Sequence, residues 1–330
     1  NSNAFNYDLY ATFDDGSCEY DAYFTPQPHI NSVLDVPNDQ GGRVFVNFRR
    51  SHYDQDGLDR IESYQVELQN EEDWIGVGTY NAYNDSTYTI MVETLSDSTS
   101  VNNALTDFRV IANMEEGNFL SETAQGYSVD NIHPSTPDNI FASGLGDDVS
   151  ISWNYASDFD FNHHQITGLN NTLYTIDNEI DISVSDYDEY FINSVDINEN
   201  LSDKSDDISA HNMHYGMNLI SFSVLPEDND VNNVLSSEDV TQIIGEGIAA
   251  SVLPNGLWVG SLNNVEVDRG YWVKSEAGEI LSIVGQKEYN TLYDLHSGNN
   301  LISYTCSTPG SLNELITNEN VTSIIGEGVA

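Results

Sequence analysis

The sequence predicts a mostly β protein: tandem antiparallel β-sandwich modules, then small β-rich repeat domains carrying a short helix. Three observations predict it. Apolar and polar residues alternate with period two over much of 26–209, the pattern of strands with one buried face. Turn residues separate these runs, as in a sandwich. Phrases late in the chain recur about 81 positions further on, so the last third is a tandem repeat.

The elements follow in order. "GRVFVNF" places Val44, Val46 and Phe48 on one face. "SYQVELQN" places Tyr64, Val66 and Leu68 opposite Gln65, Glu67 and Gln69, and "STYTIMVETL" and "TDFRVIAN" continue the theme. Pro134 and Pro137 mark a linker, after which Val149, Ile151 and Trp153 point inward and Tyr190 and Ile192 share a later face.

The repeat is carried by "GMNLISFSV" against "GNNLISYTC" and by "TQIIGEG" against "TSIIGEG". Leu219 and Leu301 are 82 positions apart, Ile244 and Ile325 81. Val231, Val234 and Leu235 align with Leu312, Leu315 and Ile316, an i, i+3, i+4 spacing that predicts a short helix near 230–237. Strands are expected at 218–224, 240–244, 248–253, 256–262, 271–275 and 279–284, with Asn255-Gly256 as a tight hairpin turn. The expected modules are therefore 1–24, 25–130, 131–209, 210–291 and 292–330. A period this long makes each unit a small domain rather than a solenoid turn.

Charge narrows the function classes. Nine Lys+Arg face 54 Asp+Glu, a formal net charge of −45. Such a chain repels nucleic acid and anionic membranes and attracts cations. Most of the acids read as solvated surface, and calcium is the expected cofactor because hard carboxylate oxygens suit it. No apolar run reaches the ~18 residues of a membrane span. Cys18 and Cys306 lie in different modules, and two cysteines make no disulfide scaffold. The chain opens and stops inside recognisable units, so a fragment of a longer protein is expected.

Four stretches resemble known families. "HPSTPDNIFASGLGDDVSISWNYASDFDFNHHQI" with "DEYFINSVDINENLSDKS" resembles a fibronectin type III domain, Trp153 matching the family's early-strand tryptophan and Tyr190 its late-strand tyrosine. The module before it is similar more loosely; Arg50 departs from the family's small polar residue there and has no role the sequence assigns. "NSNAFNYDLYATFDDGSCEY" resembles a Cys/Asp repeat of secreted marine bacterial proteins, and the 81-residue unit resembles a β-rich module of large bacterial surface proteins. The resemblances imply a fragment of a secreted modular surface protein, extracellular or on the bacterial cell surface, with no chemistry of its own.

Candidate sites are few. Asp14 and Asp15 are either calcium ligands or part of a polar turn. Trp74, Trp258 and Trp272 are either aromatic platforms for glycan or core residues. No Gly-x-Ser-x-Gly elbow is present. Gly245-Glu246-Gly247 is no phosphate loop, lacking a lysine and carrying an acid, and reads as a turn. His163 and His164 are adjacent and so face opposite sides of a strand. His214 aligns with His296, but His211 aligns with Tyr293, which leaves no repeated zinc pair. The expected function is non-catalytic adhesion or scaffolding. Its partners would be extracellular polysaccharide, surface protein or adjoining modules of the same chain. The alternative is an accessory carbohydrate-binding or spacer region of a secreted hydrolase.

Overall fold

The computed structural model describes residues 25–55, 60–185, 187–288, 292–305 and 320–327. They form two compact units: residues 25–133 with Asn198–Asn200, and Pro134–Ile197 with the chain from Leu201. Both are built almost wholly of antiparallel strands.

The first unit is a β-sandwich. Its strands are β1 (His29–Asp35), β2 (Arg43–Arg49), β3 (Ser63–Asn70), β4 (Asp73–Asn81), β5 (Thr87–Glu93), β6 (Thr106–Met114), β7 (Gly117–Leu120) and β8 (Ala124–Gly126). One sheet runs β1-β2-β5, the other β4-β3-β6-β7 with β8 also on β6. The period-two reading holds closely here. Val44, Val46 and Phe48 from one sheet meet Tyr64, Val66 and Leu68 from the other, all buried. Each such side chain contributes about 1.5–3 kcal/mol on burial.

The second unit starts with the same strand order. Strands β9 (Phe141–Leu145), β10 (Asp148–Ser152) and β13 (Glu179–Ser183) form the small sheet. Strands β11 (Phe161–Gly168), β12 (Thr172–Thr175), β14 (Tyr187–Asp196) and β15 (Asp207–Met213) lie β12-β11-β14-β15 in the large one. Trp153, Tyr190 and Ile192 are buried in its core.

The repeat does not stand apart from this sandwich. It comprises β16 (Gly216–Ser221), β17 (Val224–Leu225), α1 (Val231–Val234), β18 (Val240–Ile244), β19 (Ala249–Val252), β20 (Trp258–Gly260), β21 (Gly270–Ser275) and β22 (Glu279–Lys287). Five of these strands form their own sheet, β16-β21-β18-β19-β20, but β22 and β17 extend the large sheet beyond β15. The boundary drawn at 209/210 therefore falls inside a strand. Seven residue pairs join β15 to β22, from Asp207–Gly285 to Met213–Glu279. The large sheet has a core on each face there: Ile208, Ala210 and Ile280 face one way, Met213, Leu281 and Ile283 the other. Strands covered on both faces lose the alternating pattern, so the sequence marks β22 as a strand but not as a shared one.

Two local features differ from expectation. The helix is a single turn, α1, with Asp230 as N-cap accepting from the Asn232 N–H. The strand expected at 218–224 is two, β16 and β17, on different sheets. Between β19 and β20 the hairpin turn at Gly256 has φ +81°, as the Asn-Gly pair predicts.

Gly285 fixes the outer edge. A Cβ there would lie 2.1 Å from the Leu225 carbonyl oxygen, so β17 approaches β22 only because that position has none. Gly285→Ala is expected to cost about 1–3 kcal/mol and to speed amide exchange at Leu225. Unchanged exchange at that amide would refute the assigned contact.

Candidate functional site

The predicted site residues do not converge. Asp14 and Asp15 lie outside the described residues, as do Cys18 and Cys306. Trp74, on β4, is half-buried beneath the Arg109 guanidinium, 4.1 Å from the ring centre. Glu67 anchors that guanidinium at 2.6 Å, so one face of the ring is occupied. Trp258 packs against the repeat's core, and Leu253, Leu257 and Val259 beside it are exposed. Trp272 is half-buried on β21, paired with Leu219 and Ile244. A groove of about 440 Å³ lies elsewhere on the second unit, lined by Ser143, Ser237, Asp239 and Glu279 with Phe141 at its rim.

What does converge is a buried polar group where sandwich and repeat share their sheet. Glu189 of β14 accepts from Ser223 at 2.6 Å, from the Tyr187 hydroxyl and from the Lys287 ammonium. The Glu189 and Lys287 side chains are 9% and 5% exposed. Burial pushes the Glu189 carboxyl up, but the hydrogen bonds from Lys287, Ser223 and Tyr187 outweigh it and hold the group below the ordinary carboxylate value. Burial, then the Glu189 charge, raises the Tyr187 hydroxyl, which stays protonated. His211 packs on Tyr187 at a 45° tilt, with ring centres 4.7 Å apart. Burial pushes it down to about 4 against the pull of Glu189, so it is neutral at pH 7. A fixed ion pair, a protonated phenol and a neutral imidazole form a lock between β14, β15 and β22. None of these groups is activated as a nucleophile.

Alternation placed Tyr190 and Ile192 inward, which turns Glu189 to the opposite face; the sequence does not show that this face is also covered. The available signal was scarcity. Among the described residues at least seven of the nine cations meet a carboxylate, and Lys287 does so while buried.

The first unit has its own polar centre. Asp54 is buried and accepts from the Tyr88 hydroxyl at 2.6 Å, the Tyr64 hydroxyl at 3.0 Å and the Asn84 N–H at 2.7 Å. Arg50 donates to the Asp54 carbonyl at 2.6 Å and to the Asn84 side chain. That is the role the sequence left blank. Of the histidines, His164 is buried against Trp153 while His163 is half-buried on the other face, as adjacency predicts. Burial, then the neighbouring His163, pushes His164 down to about 4.

No family model matches the sequence, and no curated protein matches it.

Proposed function

We propose that the chain is a non-catalytic adhesion or scaffold region of a modular protein working outside a bacterial cell. The observation that supports this most is the sheet shared by the second sandwich and the repeat. A spacer that presents binding faces needs stiff joints, and a seven-pair ladder with a core on each side is stiffer than a peptide linker. The buried polar groups serve the same end, since they tie strands together.

Single-molecule stretching tests the joint. Two unfolding events are expected, one for residues 25–133 and one for the unit beginning at Pro134; three would remove the main support. Affinity gels cast with polysaccharides test the role. Unretarded migration is expected. Retardation relieved by Trp258→Ala would favour the accessory carbohydrate-binding reading, for which the exposed apolar residues around Trp258 are the argument.

Calcium belongs to the same reading. Asp160 and Asp196 are both buried, with carboxylate oxygens within 4.8 Å of one another. Two carboxylates that close favour a cation between them. Saturating calcium is expected to raise Tm by roughly 5–10 °C over EDTA at fixed ionic strength. An unchanged midpoint would sink the idea.

A further inference from the structure

The repeated phrase and the repeated histidine occupy one piece of geometry twice. In the first copy Asn218 clips a loop: its Oδ1 accepts the His214 N–H at 2.9 Å, and its Nδ2 donates to the His214 carbonyl at 2.9 Å and to the Gly216 carbonyl at 3.2 Å. Asn300 does the same for His296 and Gly298 at 2.9, 3.0 and 3.3 Å. Gly216 and Gly298 have φ +105° and +114°, a region that favours glycine. Each loop thus leaves a histidine Nε2 and a leucine N–H side by side.

Each loop also receives one carboxylate. Glu327 binds the His214 Nε2 at 2.9 Å through one oxygen and the Leu219 N–H at 2.7 Å through the other. Glu246 binds the His296 Nε2 and, at 3.1 Å, the Leu301 N–H. The glutamates are the middle residues of the two Gly-Glu-Gly phrases, and they are exchanged. The first repeat's glutamate enters the second repeat's loop, and the second's enters the first's.

We infer that the His-x-Gly-x-Asn-Leu loop is a carboxylate-binding site whose ligand is the Gly-Glu-Gly glutamate of a sister repeat. Its partner is thus a second copy of the same unit, here in the same chain. A patch that gives and receives the same contact is isologous and closes on itself, so repeats pair two by two rather than stacking as an open array. The two repeats also touch directly, the Tyr304 N–H donating to Ser221 Oγ at 2.9 Å. The chemistry suits a chain of net charge −45, because it recognises an acid with a backbone N–H and an imidazole, sparing its nine cations. The Tyr215 carbonyl and then Glu327 raise the His214 imidazole, as the Ser297 carbonyl and then Glu246 raise His296.

The test uses the full chain labelled at histidine and leucine and read by NMR. Glu327→Gln is expected to lower the His214 pKa and speed Leu219 amide exchange about tenfold, leaving His296 and Leu301 unmoved. Glu246→Gln is expected to do the reverse. Glu276→Gln, an exposed acid of the same repeat, should move neither pair. Equal responses of both loops to either variant, or none, overturn the exchange. A chain dimeric by sedimentation that turns monomeric in the double variant overturns pairing within one chain and moves it between chains.

Discussion

Lys287→Met is expected to destabilise the second unit by about 3–5 kcal/mol, the cost of leaving one buried charge without its partner. The Glu189 carboxylate would lose the ammonium and keep the neutral donors Ser223 and the Tyr187 hydroxyl. Urea unfolding should show the loss from Pro134 onward, while residues 25–133 keep their midpoint. The loss should also depend on pH in a set direction. In the native chain the Glu189 pKa lies below its ordinary value, so its contribution is present above the unfolded pKa and fades as pH falls through the folded one. Without the ammonium, burial dominates and the folded pKa rises above the unfolded value. Stability is then present below the unfolded pKa and lost as pH rises through the folded one, so the variant's deficit should shrink toward pH 4. Adding Glu189→Gln to Lys287→Met should recover most of the loss at pH 7. A deficit independent of pH, unrelieved by the second change, would mean the pair does not hold the shared sheet.

The legible parts of this fold are those where one physical rule decides. In β2, β5 and β6 one face is buried and one is wet, and alternation alone places Phe48, Ile90 and Val110 inside. The hairpin at Asn255-Gly256 is legible because few residues accept its φ. In β15 and β22 two rules compete. Both faces are covered, so alternation is silent, and Ser209 and His211 are buried beside Ile208 and Ala210. Nothing local marks Asp207–Met213 as both the last strand of a sandwich and the neighbour of a strand more than sixty residues on. The repeated Gly-Glu-Gly was visible as a turn. Its glutamate was not visible as a ligand, because the receiving loop lies 50 or more residues away. The tryptophans show a related limit. Residue type alone offers Trp74 as a platform or a core residue, while a cation on another strand covers one face of its ring.

Asp54→Ala is expected to cost the first unit on the order of 4 kcal/mol, because the Tyr64 hydroxyl, the Tyr88 hydroxyl and the Asn84 N–H lose one shared acceptor at once. The neighbourhood cannot easily repair the loss. Tyr64 also accepts from the Ser51 N–H at 2.9 Å, and its ring meets Phe48 and Tyr88 at 4.9 and 4.8 Å, so turning to find another acceptor would open the core. Asn84 sits at φ +66°, a conformation held here by Asp54 and Arg50. Asp54→Asn keeps the shape and should cost less, about 1–2 kcal/mol. The same geometry sets an alkaline limit. Burial first, then the Asp54 charge for Tyr64 and the Asp54 hydrogen bond for Tyr88, raises both hydroxyls well above the ordinary tyrosine value. A group with a raised folded pKa contributes stability below its unfolded pKa and loses it above. The first unit should therefore weaken above pH ~10, with the two tyrosines ionising only as it unfolds. Phenolate absorbance followed alongside circular dichroism checks this. Ionisation of Tyr64 and Tyr88 in a fully folded unit would show that Asp54 does not hold them, and that the strand ends gathered around it are fixed by packing alone.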